Sequence, residues 1–477
     1  MNRRRFLSLS TLGTAALHPA SRLLAQVAPL PVTVTIGKPT GRRIAEDFIG
    51  LSYESAQLSD PDFFAGDNKQ LIDLVGGLGQ HGVLRIGGNT SEYCFWRADP
   101  QAHGVSNNSL QEAVGQDRGN KAPPRQVITE QAIRNLREFL GRLPGWSLIY
   151  GLNLGLGTPE MAAEEAAFVT RVMGSKLLAF QMANEPDLFF KNGLRPSSYN
   201  AGQFIAEWRR FFEAVRKHVR DAPFAGPDTA FNNDWLVPFA KAFRNDVKFV
   251  SSHYYAEGPP SDPAMDILHL LRPDPKLDRE LAGLEQVIKE TGLPFRLTET
   301  NSCYGGGKAG VSDTFASALW GADYMFRIAQ AGGIGVNFHG GGNGWYTPIA
   351  GTRAKGFEAR PLYYGMRLFR EAGAGELLDT TLSTAPDGLR VYAVRNADGH
   401  LKILALNLSL EHPIDLALDR KLAGMQLIRL NAPNPAAKTG ETLGDAAIEP
   451  DGSWHPSSHE TAGGRQHLPP ASAALIY

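Results

Sequence analysis

The stretch Leu177-Leu-Ala-Phe-Gln-Met-Ala-Asn-Glu185, followed by Pro186, decides how this chain is read. A short apolar run that stops abruptly at polar residues has the pattern of a parallel strand buried on both faces, and it delivers Asn184 and Glu185 at its C-terminal end. A second run of the same kind, Pro294-Phe-Arg-Leu-Thr-Glu299, delivers Glu299 ahead of Thr300 and Asn301. In a (β/α)8 barrel all the strands point the same way, so strand ends far apart in sequence meet on one face. The separation of 114 positions between the two glutamates is then no obstacle.

Working outward, the chain supplies eight strand candidates ahead of Leu362: Phe48 to Tyr53, Val83 to Gly87, Ser147 to Leu154, Leu177 to Asn184, Phe224 to Pro227, Val247 to Tyr254, Phe295 to Thr298 and Ile334 to His339. The two glutamates fall on the fourth and seventh. Helical spacing of apolar residues marks Glu130 to Leu143, Pro159 to Met173, Tyr199 to Val219, Leu277 to Thr291 and Asp313 to Gly332. Strand and helix in alternation predict α/β architecture, here a (β/α)8 TIM barrel over residues 40–361. Beyond Leu362 the texture changes to alternating strands: LRVYAVRN, the turn Ala-Asp-Gly and HLKILALNLS read as a hairpin, with further runs at Gln426 to Leu430 and Ala473 to Tyr477. Residues 362–477 are therefore expected to form a C-terminal β-sandwich. The alternating run Pro31 to Gly37 places an N-terminal strand, within 26–39, in the same β-domain.

A chain of 477 residues with 43% hydrophobic and 20% charged residues suits a folded two-domain protein. Its 48 Lys and Arg balance 49 Asp and Glu, so no basic field exists to draw in a nucleic-acid backbone. The N-terminus carries Arg3 and Arg4, then Phe6 and Leu7, an apolar stretch and small residues up to Ala25. This pattern is expected to be a twin-arginine signal peptide over 1–25, sending the protein to the bacterial periplasm or exterior. No run approaches the roughly 18 apolar residues of a spanning helix, so no membrane partner is expected. Cys94 and Cys303, each just past a strand, form either a disulfide or two free buried thiols. His253 and His339 stand apart from any cluster with metal-ligand spacing, and neither a metal nor a cofactor is expected.

Two carboxylates on one face suit glycoside hydrolysis, in which one carboxylic acid protonates the leaving oxygen and a second carboxylate attacks the sugar or activates water. Glu185 takes the acid/base part and Glu299 the nucleophile; the competing assignment for each is a strand-end carboxylate in a structural salt bridge. Glu54, Arg85 and Asn89 sit at early strand ends on the same face, where Arg85 is placed to hold Glu299 ionised. The loop Tyr304, Gly305, Gly306, Gly307 is glycine-rich, which lets backbone N–H groups approach an anion closely.

The motifs QMANEPDLF at Gln181 to Phe189 and LTETNSCYGGG at Leu297 to Gly307 resemble glycoside hydrolase family 79, the β-glucuronidases and heparanases of the clan A retaining glycosidases. Matching segments run through most of the chain: GLSYE from Gly50, LRIGGNTS from Leu84, HYY from His253, SDTFASALW from Ser312 and FHGGGNGWYTPI from Phe338. Asn-Glu-Pro is common to many families of this barrel, and the Tyr-Gly-Gly-Gly segment is what points to family 79. The resemblance implies a retaining mechanism through a covalent glycosyl-enzyme on Glu299. It implies that Asn184 binds the sugar 2-hydroxyl. His253 and Tyr255 follow the sixth strand, where such enzymes place a tyrosine against the nucleophile, a part that Tyr254 takes if the register slips by one. The Tyr304-Gly305-Gly306 loop and Tyr346 are implied to hold a uronate carboxylate.

The substrate expected on these grounds is a carbohydrate carrying a uronic acid. The first expectation is an exo-β-glucuronidase releasing terminal glucuronic acid or its 4-O-methyl form from glycans or glucuronides. An endo-acting, heparanase-like enzyme is the alternative, disfavoured because the basic residues Arg195, Arg353 and Lys355 are scattered; a non-catalytic carbohydrate-binding barrel is the third.

Overall fold

The computed structural model describes residues 27–97, 122–230, 232–340, 344–419 and 422–477. Eight parallel strands close into a barrel in chain order: Ile49–Glu54, His81–Gly87, Gly145–Leu152, Leu177–Met182, Phe224–Thr229, Val247–Glu257, Phe295–Cys303 and Val336–Gly340. The eighth closes onto the first, with Val336 opposite Ile49 and Gly340 opposite Tyr53. Ile49–Glu54 and Phe295–Cys303 are buried at every residue, which is why their sequences run apolar without alternation. Inside the barrel Val83, Ile149, Ala179, Ala225 and Phe249 pack as one layer. At the N-terminal end Arg296 spends its guanidinium on Asn337 Oδ1 at 2.6 Å and on the carbonyls of Asp47, Phe48 and Ile334. That closes the barrel floor and leaves the opposite end for chemistry.

The surrounding helices begin where the sequence supplies an acceptor for their first N–H groups. Thr129 caps Glu130–Gly141, Thr158 caps Pro159–Met173, Asn200 forms a capping box with Gln203 on Ala201–His218, and Asp274 caps Pro275–Thr291. The last of these stops at Gly292, whose φ of 73° is the left-handed region open to glycine. Four further α-helices, Lys69–Gly77, Asn233–Ala242, the short Ile267–Leu271 and Pro361–Ala372, lie outside the expected stretches. Pro361–Ala372 lies beyond the boundary expected at 361/362. It is the helix after the eighth strand, and Gly365 packs so close to Ala318 of Phe315–Gln330 that a Cβ there would sit 2.1 Å from the Ala318 carbonyl oxygen. The β-rich segment starts at Gly375.

That segment forms a ten-stranded sheet in which the N-terminal strand Leu30–Ile44 is the link. Leu30 to Thr33 pair in parallel with Ile414–Ala417, and from Val34 onward the strand pairs antiparallel with Gly375–Leu382. The two arms enclose a second core of Val32, Val34, Leu378, Val391, Ile403, Leu416 and Ile476. The expected hairpin is present as Leu389–Arg395 paired with Leu401–Asn407. The segment 1–25, where the export signal is expected, lies outside the described residues. Among the described residues no helix is long and apolar enough to cross a membrane.

Candidate active site

Both glutamates lie on the C-terminal face of the barrel, though neither sits where its strand stops. The fourth strand ends at Met182, and Glu185 follows across a turn in which Ala183 and Glu185 take left-handed φ values of 79° and 50°. Glu299 lies inside the seventh strand, which continues pairing with the sixth as far as Cys303 opposite Glu257. The ligand-capable atoms of Glu185, His253 and Glu299 all fall within 4.8 Å of one another.

Arg85, 1% exposed, organises this face. Its Nη1 donates to Glu299 Oε2 at 2.7 Å and to Ser52 Oγ at 3.0 Å; its Nη2 donates to Asn184 Oδ1 at 2.8 Å and to Asp228 Oδ2 at 2.5 Å; its Nε donates to Gln181 Oε1 at 3.0 Å. Five donors are thus spent on named acceptors, which a planar guanidinium does and an ammonium cannot. The other oxygen of Glu299, Oε1, accepts from the Tyr255 hydroxyl at 2.7 Å. Burial alone would push the Glu299 carboxyl up, but the charges of His339, His253 and Arg85 and the Tyr255 hydroxyl outweigh it and hold the group down at about 2. At neutral pH Glu299 is a carboxylate.

His253 is buried between two acids, with Nδ1 3.0 Å from Glu185 Oε1 and Nε2 3.1 Å from Asp228 Oδ2. Burial opposes its charge, yet the charges of Asp228 and Glu299 and the hydrogen bonds to Asp228 and Glu185 raise it to about 10. Both ring nitrogens of the imidazolium then donate. The same three side chains belong to one network: His253 faces Glu185 and Asp228, and Glu299 is shared between Arg85 and Tyr255.

The register question at strand six resolves in favour of Tyr255. Tyr254 points the other way, stacked on Tyr324 with ring centroids 5.5 Å apart and bonded to Asp274. Tyr346 is 7% exposed, its ring 6.2 Å from that of Tyr255 and 6.1 Å from that of His339, and its hydroxyl shares a hydrogen bond with Tyr255. Tyr304 is 45% exposed and meets Tyr255 edge-on at 6.4 Å. Gly305, Gly306 and Gly307 take φ values of 73°, 91° and 86°, and a Cβ on Gly307 would lie 2.7 Å from the Tyr346 backbone nitrogen. Only glycine lets this loop lie against Tyr346. Lys308 is turned away, its Nζ on the Asp262 carbonyl at 2.6 Å. Glu54 accepts from the Thr90 backbone N–H at 2.8 Å and lies 3.4 Å from His339 Nε2. Asn89 is exposed and accepts from Asn184 Nδ2 at 3.3 Å. Cys94 and Cys303 are free buried thiols.

Sequence reasoning gave no role to Asp228, His339, Gln181 or Glu92, all buried at this end of the barrel. Asp228 sits at the end of the fifth strand in Gly-Pro-Asp-Thr, and strand-end position is the one signal that could have found it.

A (β/α)8 barrel carrying paired glutamates beyond its fourth strand and on its seventh has the architecture found in retaining glycoside hydrolases. The chain is similar in sequence to curated β-glucuronidases and heparanases. It is 28% identical over 356 residues to a β-glucuronidase of Neurospora crassa, covering 66% of this chain and 61% of that protein. It is 23% identical over 444 residues to a β-glucuronidase of Aspergillus niger, covering 84% and 79%. With the heparanase of Mus musculus it shares 24% over 423 residues, 77% of this chain and 76% of that one. No family model matches. Among solved structures, a 4-O-α-L-rhamnosyl-β-D-glucuronidase from Fusarium oxysporum 12S superposes with a TM-score of 0.71 at 18% identity, covering 94% of this chain and all of the other. A family 51 α-L-arabinofuranosidase from Bifidobacterium longum does so at 0.65 and 14%. These likenesses show the fold.

Proposed function

We propose that the protein is a retaining exo-β-glucuronidase that releases terminal β-linked glucuronic acid, or its 4-O-methyl form, from glycans or glucuronides. The observation that supports the retaining part of this reading is that one carboxylate oxygen of Glu185 and one of Glu299 lie within 4.8 Å of each other. Retaining pairs stand about 5–5.5 Å apart, and inverting pairs need roughly 6.5–9.5 Å to admit a water. Glu299, ionised and oriented by Arg85 and Tyr255, attacks the anomeric carbon. Glu185 gives its proton to the departing glycosidic oxygen, then takes one from the water that attacks the glycosyl-enzyme and frees Glu299. Asn184, whose Oδ1 is held by Arg85, binds the sugar 2-hydroxyl. Tyr346 and the Gly305–Gly306 backbone supply neutral donors for the uronate.

Exo action is supported by what the nearby basic residues already do. Arg195 is spent on Glu207 at 2.7 Å and on the carbonyl of Gly155, and Arg353 on Asp67 at 2.7 Å, which leaves neither for the sulfates of an internal glycosaminoglycan site. The Arg3-Arg4 segment supports export; replacing both by lysine should retain the protein in the cytoplasm, and unchanged export would refute that part.

The test of activity is hydrolysis of p-nitrophenyl β-glucuronide beside the β-glucoside and β-xyloside, with the wild type and Glu299→Gln. Preference for the glucuronide, lost in the variant while the fold persists, is the expected result. Equal cleavage of all three, or full activity in the variant, would refute it.

A further inference from the structure

The turn that presents Glu185 is strained, and the way it is held assigns a part to a buried acid outside the catalytic pair. Neither Ala183 nor Glu185 is glycine, yet both occupy the left-handed region, a cost of about 1–3 kcal/mol each that neighbouring contacts must offset. Each of the three N–H groups of this turn has one partner. Ala183 donates to the Leu152 carbonyl at 3.3 Å and Glu185 to the Asp228 carbonyl at 2.9 Å, both backbone to backbone. The middle one, Asn184, donates to the Glu92 side chain, Oε1, at 2.7 Å.

Glu92 is 2% exposed and comes from the segment after the second strand. Its other oxygen accepts the backbone N–H of Gly155, just past the third strand, and a Cβ on Gly155 would approach that oxygen to 2.8 Å. Arg195 secures the same loop through the Gly155 carbonyl at 2.9 Å, and its charge favours the ionised Glu92 carboxyl. One carboxyl therefore ties the segments after strands two, three and four, and of these ties only the one to Asn184 touches the turn between the sugar-binding amide and the acid/base. Burial pushes the Glu92 carboxyl up to about 7, against the pull of the Gly155 and Asn184 N–H groups. Such a group is costly to bury unless its oxygens find donors, and here the Gly155 and Asn184 N–H groups and the Ser91 hydroxyl supply them.

We infer that Glu92 is a positioning residue for the acid/base: through the Asn184 N–H it fixes the Ala183–Glu185 turn and so the reach of the Glu185 carboxyl to the leaving oxygen. The inference rests on the acid/base reading of Glu185. Glu92→Gln is the informative change, because its amide NH2 must face either the Asn184 or the Gly155 N–H, and one of the two bonds is lost to a donor–donor contact.

The test compares kcat/KM on two substrates. p-Nitrophenolate leaves with little protonic help, whereas methanol from methyl β-glucuronide needs the acid. Glu92→Gln should lose about 10²-fold on methyl β-glucuronide, the scale of a catalytic group displaced by about 1 Å, and less than about threefold on p-nitrophenyl β-glucuronide. Glu185→Gln run alongside should show the same selectivity more strongly. Equal losses on both substrates for Glu92→Gln, with Glu185→Gln selective, would overturn the positioning role and leave Glu92 a structural tie. Equal losses for Glu185→Gln would overturn the acid/base reading itself, and the Glu92 inference with it. Should Glu92→Gln fail to fold, Glu92→Asp, which keeps both acceptors but draws them back by one methylene, carries the same comparison.

Discussion

Removing the Tyr255 hydroxyl is the cleanest perturbation of the nucleophile. In Tyr255→Phe, Glu299 Oε1 loses a 2.7 Å bond while Oε2 keeps Arg85. A hydrogen bond to a charged group contributes about 1.5–3 kcal/mol, and one pKa unit corresponds to about 1.36 kcal/mol. The Glu299 carboxyl, held at about 2 in the wild type, should therefore rise by about one to two units in the variant. The acid limb of kcat/KM on p-nitrophenyl β-glucuronide, which reports the free enzyme's essential base, should move up by the same amount. Stability gives a second readout. A carboxyl whose folded pKa is depressed contributes stability above its unfolded value of about 4.3, and that contribution is lost as pH falls through the folded pKa. The Tm deficit of the variant should thus be full above about pH 5 and should narrow as pH drops toward about 3. An acid limb that stays in place, or a deficit that does not change with pH, would refute the account of how Glu299 is kept ionised.

Other expectations follow from the same network. Tyr346→Phe removes one neutral donor and should weaken inhibition by glucuronic acid about 3- to 10-fold while leaving inhibition by glucose unchanged, as measured by Ki for each; equal losses would count against a carboxylate contact. Asp228→Asn removes the anion that does most to keep His253 charged, so the His253 titration followed by NMR should fall from about 10 toward its ordinary value of about 6.5, and an unmoved titration would contradict the assignment. Cys94 and Cys303 should react with a thiol reagent only after denaturation, and reducing agent should leave the Tm unchanged, since both are free and buried.

The barrel was legible in the sequence because strands buried on both faces announce themselves as unbroken apolar runs, and the eight candidates overlap the eight strands found. Their ends were harder to place. Phe295–Cys303 runs five residues past the expected Thr298 because Thr300 to Cys303 keep pairing with the sixth strand although their side chains are polar. Pro361–Ala372 hides in the sequence because the β-rich texture reads as starting at Leu362, yet Pro361 at its first turn and ten buried residues mark a helix packed on the barrel. The glutamates were visible through strand-end position, but their supporting groups were not. Asp228 and Glu92 act through single contacts with Arg85, His253 and the Asn184 N–H, and such contacts depend on tertiary placement with no local periodicity to reveal them. The choice between Tyr254 and Tyr255 likewise turns on one step of the strand's alternation.

The central claim is a retaining double displacement on a glucuronide, and the measurement that tests it most directly is the proton NMR time course of p-nitrophenyl β-glucuronide hydrolysis. The expected first product is β-glucuronic acid, with the α anomer growing in only as mutarotation proceeds. Appearance of the α anomer first would mean inversion, and would contradict a nucleophilic Glu299 within 4.8 Å of its partner acid.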